Sequence, residues 1–76
     1  MKELLTYIVQ DLVEKSDEVS VTERESGGET IFEVRVAAGD MGKVIGRQGR
    51  VVKEIRTLMK AVAQREGKRV SVEILD

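Results

Sequence analysis

The sequence predicts an α+β fold in the order helix, strand, strand, helix, helix, strand, with three helices covering one face of a three-stranded sheet. Two segments repeat apolar residues every three or four positions, as amphipathic helices do. Three short segments alternate apolar and polar residues, as half-buried strands do. At 76 residues, the chain is expected to form one domain over residues 1–76, because no second hydrophobic core fits this length.

The first half of the chain predicts a helix followed by a β-hairpin. The helix covers residues 2–15, whose apolar stripe consists of Leu4, Leu5, Ile8, Val9, Leu12 and Val13. Val19 and Val21 alternate with polar neighbours in a first strand, and a second strand covers residues 32–36. The turn at 25–29 contains paired glycines, which tolerate the positive φ of a tight hairpin. The two strands are therefore expected to pair in antiparallel fashion.

The second half predicts a short helix, a long helix and a last strand. Asp40 is expected to cap the short helix, which ends before Gly46 because glycine interrupts helices. The long helix covers residues 49–65, and Gly67 ends it. Its apolar face is defined by Val51, Ile55, Leu58 and Val62 and is widened by Val52 and Met59. Alternating apolar residues predict the last strand over 70–74.

The composition excludes several classes of function. The chain has no cysteine and no histidine, so it has neither a disulfide framework nor a Cys/His zinc site. No constellation of acid and base groups stands out, so we expect no enzyme activity and no cofactor. No apolar run approaches the ~20 residues of a membrane span, and the first apolar segment is interrupted by acidic residues. A soluble, cytoplasmic protein with no membrane partner is expected.

The charge distribution is strongly asymmetric, although the formal net charge is only −1. Residues 42–69 contain nine lysines and arginines but only two glutamates, which gives this segment a charge of +7. The remaining residues carry −8. Charged helices often have solvated faces of both signs, but a bias of this size indicates a surface for a polyanion.

A glycine turn lies inside this basic segment. Gly46 and Gly49 enclose a two-residue tip and precede the long helix, and such a turn brings backbone N–H groups close to an anion. Lysines and arginines lie where the helix dipole favours carboxylates; they are Lys43, Arg47, Arg50 and Lys53. A bound phosphate would turn these unfavourable charges into favourable ones. Sequences break local rules most often at functional sites.

The same glycines also allow a purely structural interpretation, in which Gly46 ends one helix and Gly49 connects it to the next. That interpretation leaves the basic side chains unexplained. The phosphate-binding patterns of P-loops and of dinucleotide-binding folds are absent. Because Tyr7 and Phe32 are the only aromatic residues, there is no platform on which bases stack.

Residues 44–52, Val-Ile-Gly-Arg-Gln-Gly-Arg-Val-Val, resemble the Ile-Gly-x-x-Gly signature of KH domains. The element order is similar to that of type II KH domains, and the length is similar to that of the small bacterial KhpA-like RNA-binding proteins. The resemblance implies binding of about four nucleotides of single-stranded RNA, in a groove between the two central helices and the strand at 32–36. The implied RNA-binding residues are Lys43, Val44, Gly46, Arg47, Gln48, Gly49, Arg50 and Lys53.

The resemblance also implies a partner. Proteins of this kind act as homodimers or with a Jag-type (KhpB) protein that carries its own KH domain, as RNA chaperones or post-transcriptional regulators. An alternative interpretation is a protein-interaction module with little RNA affinity, in which Met59 and Val52 form the contact surface. Binding of duplex DNA through the two central helices is a third interpretation.

Overall fold

The computed structural model describes residues 1–75, which contain three helices and three strands. The helices are α1 (Lys2–Leu12), α2 (Met41–Ile45) and α3 (Arg50–Arg65), and the strands are β1 (Ser20–Ser26), β2 (Glu29–Arg35) and β3 (Val70–Leu75). Single turns of 3-10 helix form at Ser16–Glu18, Ala38–Asp40 and Arg47–Gly49. In this part of the chain no helix is long and apolar enough to cross a bilayer. The predicted class and element order are confirmed.

The strands form one sheet in the order β1-β2-β3, so β2 is the central strand. β1 and β2 pair in antiparallel fashion around the turn at Gly27 and Gly28, which confirms the predicted hairpin. β2 and β3 pair in parallel, with Thr30 opposite Val70. A parallel pair needs a crossover connection, and α2 and α3 provide it. The free edges of the sheet therefore belong to β1 and β3.

The core lies between the helices and one face of the sheet. The largest fully buried side chains are Leu5, Val9, Phe32, Val34, Val44 and Met59. Burial of an aliphatic or aromatic side chain of this size contributes about 1.5–3 kcal/mol to folding. The opposite face of the sheet is polar, and Arg24 and Glu33 form an ion pair on it at 3.4 Å. The helices therefore cover one face, as the alternation in β2 predicts.

α1 ends at Leu12, three residues before the predicted end. Beyond it, the backbone N–H groups of Glu14 and Lys15 donate to the Asp40 carboxylate at 3.3 and 3.0 Å. Asp40 occupies the predicted N-cap position of α2, but its side chain makes no capping bond to that helix. The prediction of a capping carboxylate is therefore wrong, because this buried carboxylate instead joins the end of α1 to α2.

α3 buries a face that is rotated from the predicted one. Its buried residues are Val52, Ile55, Met59 and Ala63. Val51 and Val62 are half-buried, and 44% of Leu58 is exposed. Apolar residues are so frequent between 51 and 63 that spacings of three and four fit two stripes, and packing against the sheet and α2 selects one. Met59 and Val52 are buried, so they do not form the predicted partner surface.

Candidate nucleic-acid interface

The turn between α2 and α3 is formed by three residues with positive φ. α2 ends at Ile45 because Gly46 has φ 78° and ψ 172°, which lies far from helical values. The turn Arg47–Gly49 follows, and the N–H of Gly49 donates to the Gly46 carbonyl at 3.2 Å. Gln48 has φ 58° and Gly49 has φ 74°, so both are left-handed. α3 starts immediately afterwards, and the two helices are joined with no flexible linker.

The two glycines of the turn are needed for different reasons. A Cβ atom on Gly46 would lie 2.4 Å from Cγ2 of Val51 and 2.9 Å from its backbone nitrogen, so the first turn of α3 leaves no room for a side chain. A Cβ on Gly49 would meet no atom within 4 Å, and only the positive φ restricts this position. Gly46 is therefore needed for close packing of the turn against α3, whereas the predicted approach of the Gly46 and Gly49 backbone to an anion stays a prediction.

The tip of the turn projects into solvent. Arg47 and Gln48 are exposed, and Gln48 is the one residue other than glycine with positive φ among residues 1–75. Non-glycine residues in sparsely populated conformations cluster at binding sites, and a polar residue without β-branching tolerates this region better than a β-branched one. No sequence pattern predicts this conformation at Gln48, because it arises from the closure of the turn between two packed helices.

The start of α3 carries positive charge that nothing in the described residues neutralises. No side chain caps this helix, and its first turn contains no acidic residue. Arg47, Arg50 and Lys53 are exposed and form no ion pair with another residue between 1 and 75. The helix dipole adds about half a positive charge at the same end. The turn, the helix start and the three side chains together favour an anion.

Lys43 lies near the turn, but its ammonium is already paired. Its Nζ lies 3.2 Å from a carboxylate oxygen of Glu14 and 3.4 Å from one of Asp40. The hydrogen bond from Lys43 to Glu14 is the main cause that raises its pKa. The backbone N–H of Lys15 is the main cause that lowers the pKa of Asp40. Lys43 is therefore a link between α1 and α2 in addition to being a predicted RNA ligand.

Val44 is the one predicted site residue that the structure removes from the surface. Its side chain is fully buried in the core cluster, so it exposes no area to a ligand. The sequence predicts Val44 as an apolar residue that belongs mostly to the core and that lies at the floor of a groove beside the turn; the structure places its side chain wholly in the core. The exposed predicted residues are Lys43, Arg47, Gln48, Arg50 and Lys53, with Gly46 and Gly49 partly exposed.

A groove lies between the middle of α3 and the outer edge of β3. Its volume is about 280 Å³, and its lining consists of Arg56, Lys60, Val70, Ser71 and Val72. Nε of Arg56 donates to the Val72 carbonyl at 3.0 Å, which fixes the guanidinium across the groove. The sequence places the far wall at residues 32–36, but these belong to the central strand, which is paired on both sides. The strand that lines the groove beside Arg56 is β3.

Arg56 and Lys60 are absent from the predicted site. The signal that identifies them is their spacing, because residues three and seven positions after Lys53 lie on the same side of a helix. That signal is ambiguous in the sequence, since basic residues are frequent throughout α3. Only the position of the β3 edge distinguishes these two from the rest.

Residues 2–74 match the model of the KhpA/KhpB KH-domain family. The chain belongs to this family. It is 53% identical over 75 residues to the RNA-binding protein KhpA of Clostridium acetobutylicum, covering 99% of this chain and 100% of the relative. It is 49% identical over 76 residues to the RNA-binding protein KhpA of Chlamydia trachomatis serovar D, covering 100% of this chain and 97% of the relative.

A solved structure of Era from Aquifex aeolicus, bound to GDP.AlF4−, has a similar arrangement of elements. The TM-score is 0.66, and the match covers 96% of this chain and 28% of that chain at 18% identity. At this identity the similarity shows the fold alone. The KhpA/KhpB family and the type II KH fold, which the sequence predicts from the Gly-x-x-Gly turn and the element order, are both confirmed.

Proposed function

We propose that this protein binds single-stranded RNA without catalysis and holds the sugar–phosphate backbone at the turn between α2 and α3. The observation that carries the proposal is the uncapped start of α3, with Arg47, Arg50 and Lys53 unpaired within the described residues. A backbone phosphate there accepts from N–H groups and neutralises like charges. The name shared by its relatives in Clostridium acetobutylicum and Chlamydia trachomatis, RNA-binding protein KhpA, supports the same ligand.

The groove between α3 and β3 receives the bases in this proposal. No aromatic side chain lines it, and Val70 and Val72 are 5% and 3% exposed, so the bases contact mainly the backbone groups of the β3 edge and the side chains of Arg56 and Lys60. An unpaired strand edge offers N–H and C=O groups at regular spacing. Arg56 already occupies the Val72 carbonyl through Nε, and its terminal nitrogens stay available as donors. Contacts to phosphate confer affinity with little sequence choice, so specificity is expected to be modest.

We propose further that the protein acts as an RNA chaperone or post-transcriptional regulator together with a second KH domain. A site for about four nucleotides gives weak binding on its own, and a linked second site raises the effective affinity without any new contact type. The second domain belongs to another copy of this chain or to a Jag-type (KhpB) protein. The family model, which spans both KhpA and KhpB, supports this expectation.

The test is a salt titration of binding to a fluorescently labelled single-stranded RNA. The double variant Arg47→Asp/Gln48→Asp is expected to lose binding and to keep its fold, because both side chains are exposed. The double variant Gln10→Asp/Arg35→Asp is a matched control, since it makes the same two substitutions at exposed positions on α1 and β2. Circular dichroism establishes that each variant is folded.

Single-strand binding that weakens with salt, disappears in the first variant and survives in the control supports the turn as the binding site. An equal loss of RNA affinity in both variants would mean that binding depends on the net charge of the protein and not on the turn. A parallel titration with duplex DNA of matching sequence tests the competing interpretation, and tighter binding to the duplex would contradict single-strand recognition.

A specific observation favours the second candidate function, a protein-interaction module. Leu58 is 44% exposed, and it lies with Thr57 and Ala61 along a shallow depression of about 580 Å³ on the outer side of α3. An exposed leucine on an otherwise charged helix is a candidate anchor for a partner. Leu58→Glu is expected to reduce self-association or partner binding, measured by light scattering after size exclusion, and to leave the unfolding midpoint nearly unchanged.

A further inference from the structure

The positive charge of α3 continues well past the turn. Lys53, Arg56 and Lys60 follow one another at spacings of three and four residues, so they are neighbours along α3. Arg56 and Lys60 line the groove at the β3 edge, and Lys53 lies beside it, toward Thr57 and Leu58. All three are exposed. With a rise of 1.5 Å per residue, Lys60 lies about 15 Å along the axis from the first residue of α3. The basic surface is therefore a track along the helix and is larger than the turn alone.

A second groove extends this track toward the far end of the helix. Its volume is about 440 Å³, and its lining includes three basic residues (Lys60, Lys68 and Arg69), one acidic residue (Glu29), Gln64 and Val70. It shares Lys60 and Val70 with the first groove, so the two depressions are continuous. Of the basic residues in the second groove, Lys68 lies 3.9 Å from Glu66, an exposed and weak pair. The other basic side chains form no ion pair within residues 1–75.

We propose that the second groove binds the sugar–phosphate backbone of the same RNA strand that is held at the turn, through Lys60, Lys68 and Arg69. The inference rests on the proposed function and deepens it. The footprint of the domain then exceeds the roughly four nucleotides of a Gly-x-x-Gly site. The turn fixes the strand at one end of the track, and the three basic side chains bind phosphates further along, with no selection among bases.

The charge beyond the second groove sets the end of the track. A cleft of about 640 Å³ follows between the start of α1 and the hairpin turn, and its lining includes four carboxylates (Glu3, Glu23, Glu25 and Glu66) and four positive groups (Lys2, Lys68, Arg69 and the N-terminal ammonium of Met1). Because these charges balance, the cleft adds no net positive charge beyond Lys68 and Arg69, and the strand leaves the surface there. Affinity is therefore expected to rise with RNA length and then to reach a plateau.

Basic residues near the C-terminal end of a helix also have a local explanation. They stabilise the negative end of the helix dipole, and this effect requires no ligand. The local explanation predicts that removing these charges changes stability and leaves RNA binding alone. The dependence of RNA affinity on RNA length and on salt concentration separates the two explanations, because stabilisation of the helix dipole changes neither dependence.

The experiment compares a tetranucleotide, a decanucleotide and a longer RNA on three proteins. The test variant is Lys60→Gln/Lys68→Gln/Arg69→Gln, and the control variant is Lys15→Gln/Arg24→Gln/Arg35→Gln. Both remove three positive charges from exposed side chains, and the control positions lie on the first connection, on β1 and on β2. A longer strand also offers more registers to a four-nucleotide site, but this statistical gain is the same in all three proteins.

The wild type and the control are expected to gain affinity from tetranucleotide to decanucleotide beyond the statistical gain, and the test variant is expected to lose that excess. For single strands each phosphate contact contributes about 0.7 to the slope of log K against log salt, so the slope for the decanucleotide should become shallower by about 2. The proposal would be overturned if the test variant kept the full gain in affinity beyond the statistical one, or if the control variant lost as much of that gain as the test variant. Absence of wild-type binding to any RNA would instead refute the proposed function.

Discussion

Replacing Gly46 with alanine tests whether the close approach of the turn to α3 determines the geometry of the binding site. The new Cβ would lie 2.4 Å from Cγ2 and 2.8 Å from Cβ of Val51, closer than carbon atoms approach in proteins. The residue would also keep φ 78° and ψ 172°, a region that is essentially reserved for glycine. Gly49→Ala is the matched control, because Gly49 has a similar φ of 74° and open space around it.

The expected cost follows from two contributions. Backbone strain in this region costs about 1–3 kcal/mol, and an overpacked contact costs about 1–3 kcal/mol more. Gly46→Ala is therefore expected to destabilise the protein by about 2–6 kcal/mol, against a total stability of roughly 4–11 kcal/mol for this length. In Gly49→Ala, the left-handed backbone conformation costs the folded state about 1–2 kcal/mol. Alanine also lowers the conformational entropy of the unfolded chain, which offsets this cost by about 0.5 kcal/mol.

Urea unfolding followed by circular dichroism measures the difference. With a slope of about 1 kcal/mol per molar urea, the midpoint should fall by about 1 M in Gly49→Ala and by 2 M or more in Gly46→Ala. Val51→Ala in the Gly46→Ala background removes the 2.4 Å contact but leaves Cβ of residue 51 at 2.8 Å and its backbone nitrogen at 2.9 Å, so a double-mutant cycle should show partial recovery. Equal midpoints for the two glycine variants would refute the role assigned to Val51.

Three further outcomes are expected. Met59→Ala should cost about 3 kcal/mol because Met59 is fully buried, whereas Leu58→Ala should change the urea midpoint little. Asp40→Asn should lower the thermal midpoint near neutral pH. In the folded protein the pKa of Asp40 lies below its ordinary value of 3.8. The difference in thermal midpoint between the variant and the wild type should therefore persist from neutral pH down to about pH 3.8 and shrink below that pH, where the carboxylate is protonated. Arg56→Lys should keep the positive charge but weaken RNA binding, measured by titration, because lysine does not reproduce the fixed fork that donates to the Val72 carbonyl.

The sequence by itself determined the elements and the chemistry of the turn. Alternation in β2 and β3 and spacing in α1 and α3 identify strands and helices because these periods are local properties of the chain. The positive charges around Gly46 and Gly49 predict an anion site because they oppose the local preference of a helix start. Together with the Ile-Gly-x-x-Gly signature, these local features were sufficient for the family and the fold.

Tertiary structure alone decided which surfaces face a ligand. The sequence predicts Leu58 in the core, but 44% of Leu58 is exposed, because the spacing of apolar residues in α3 fits two faces and packing selects one. Val44 is predicted both in the core and at the RNA site, and the structure buries it completely. Asp40 joins α1 to α2 instead of capping a helix, since its partners Glu14 and Lys15 lie more than twenty residues away in the chain. The groove beside Arg56 exists because the parallel pairing of β2 and β3 leaves the outer edge of β3 against α3. Contacts between distant residues have no local signature, so they are defined only when the whole chain is folded.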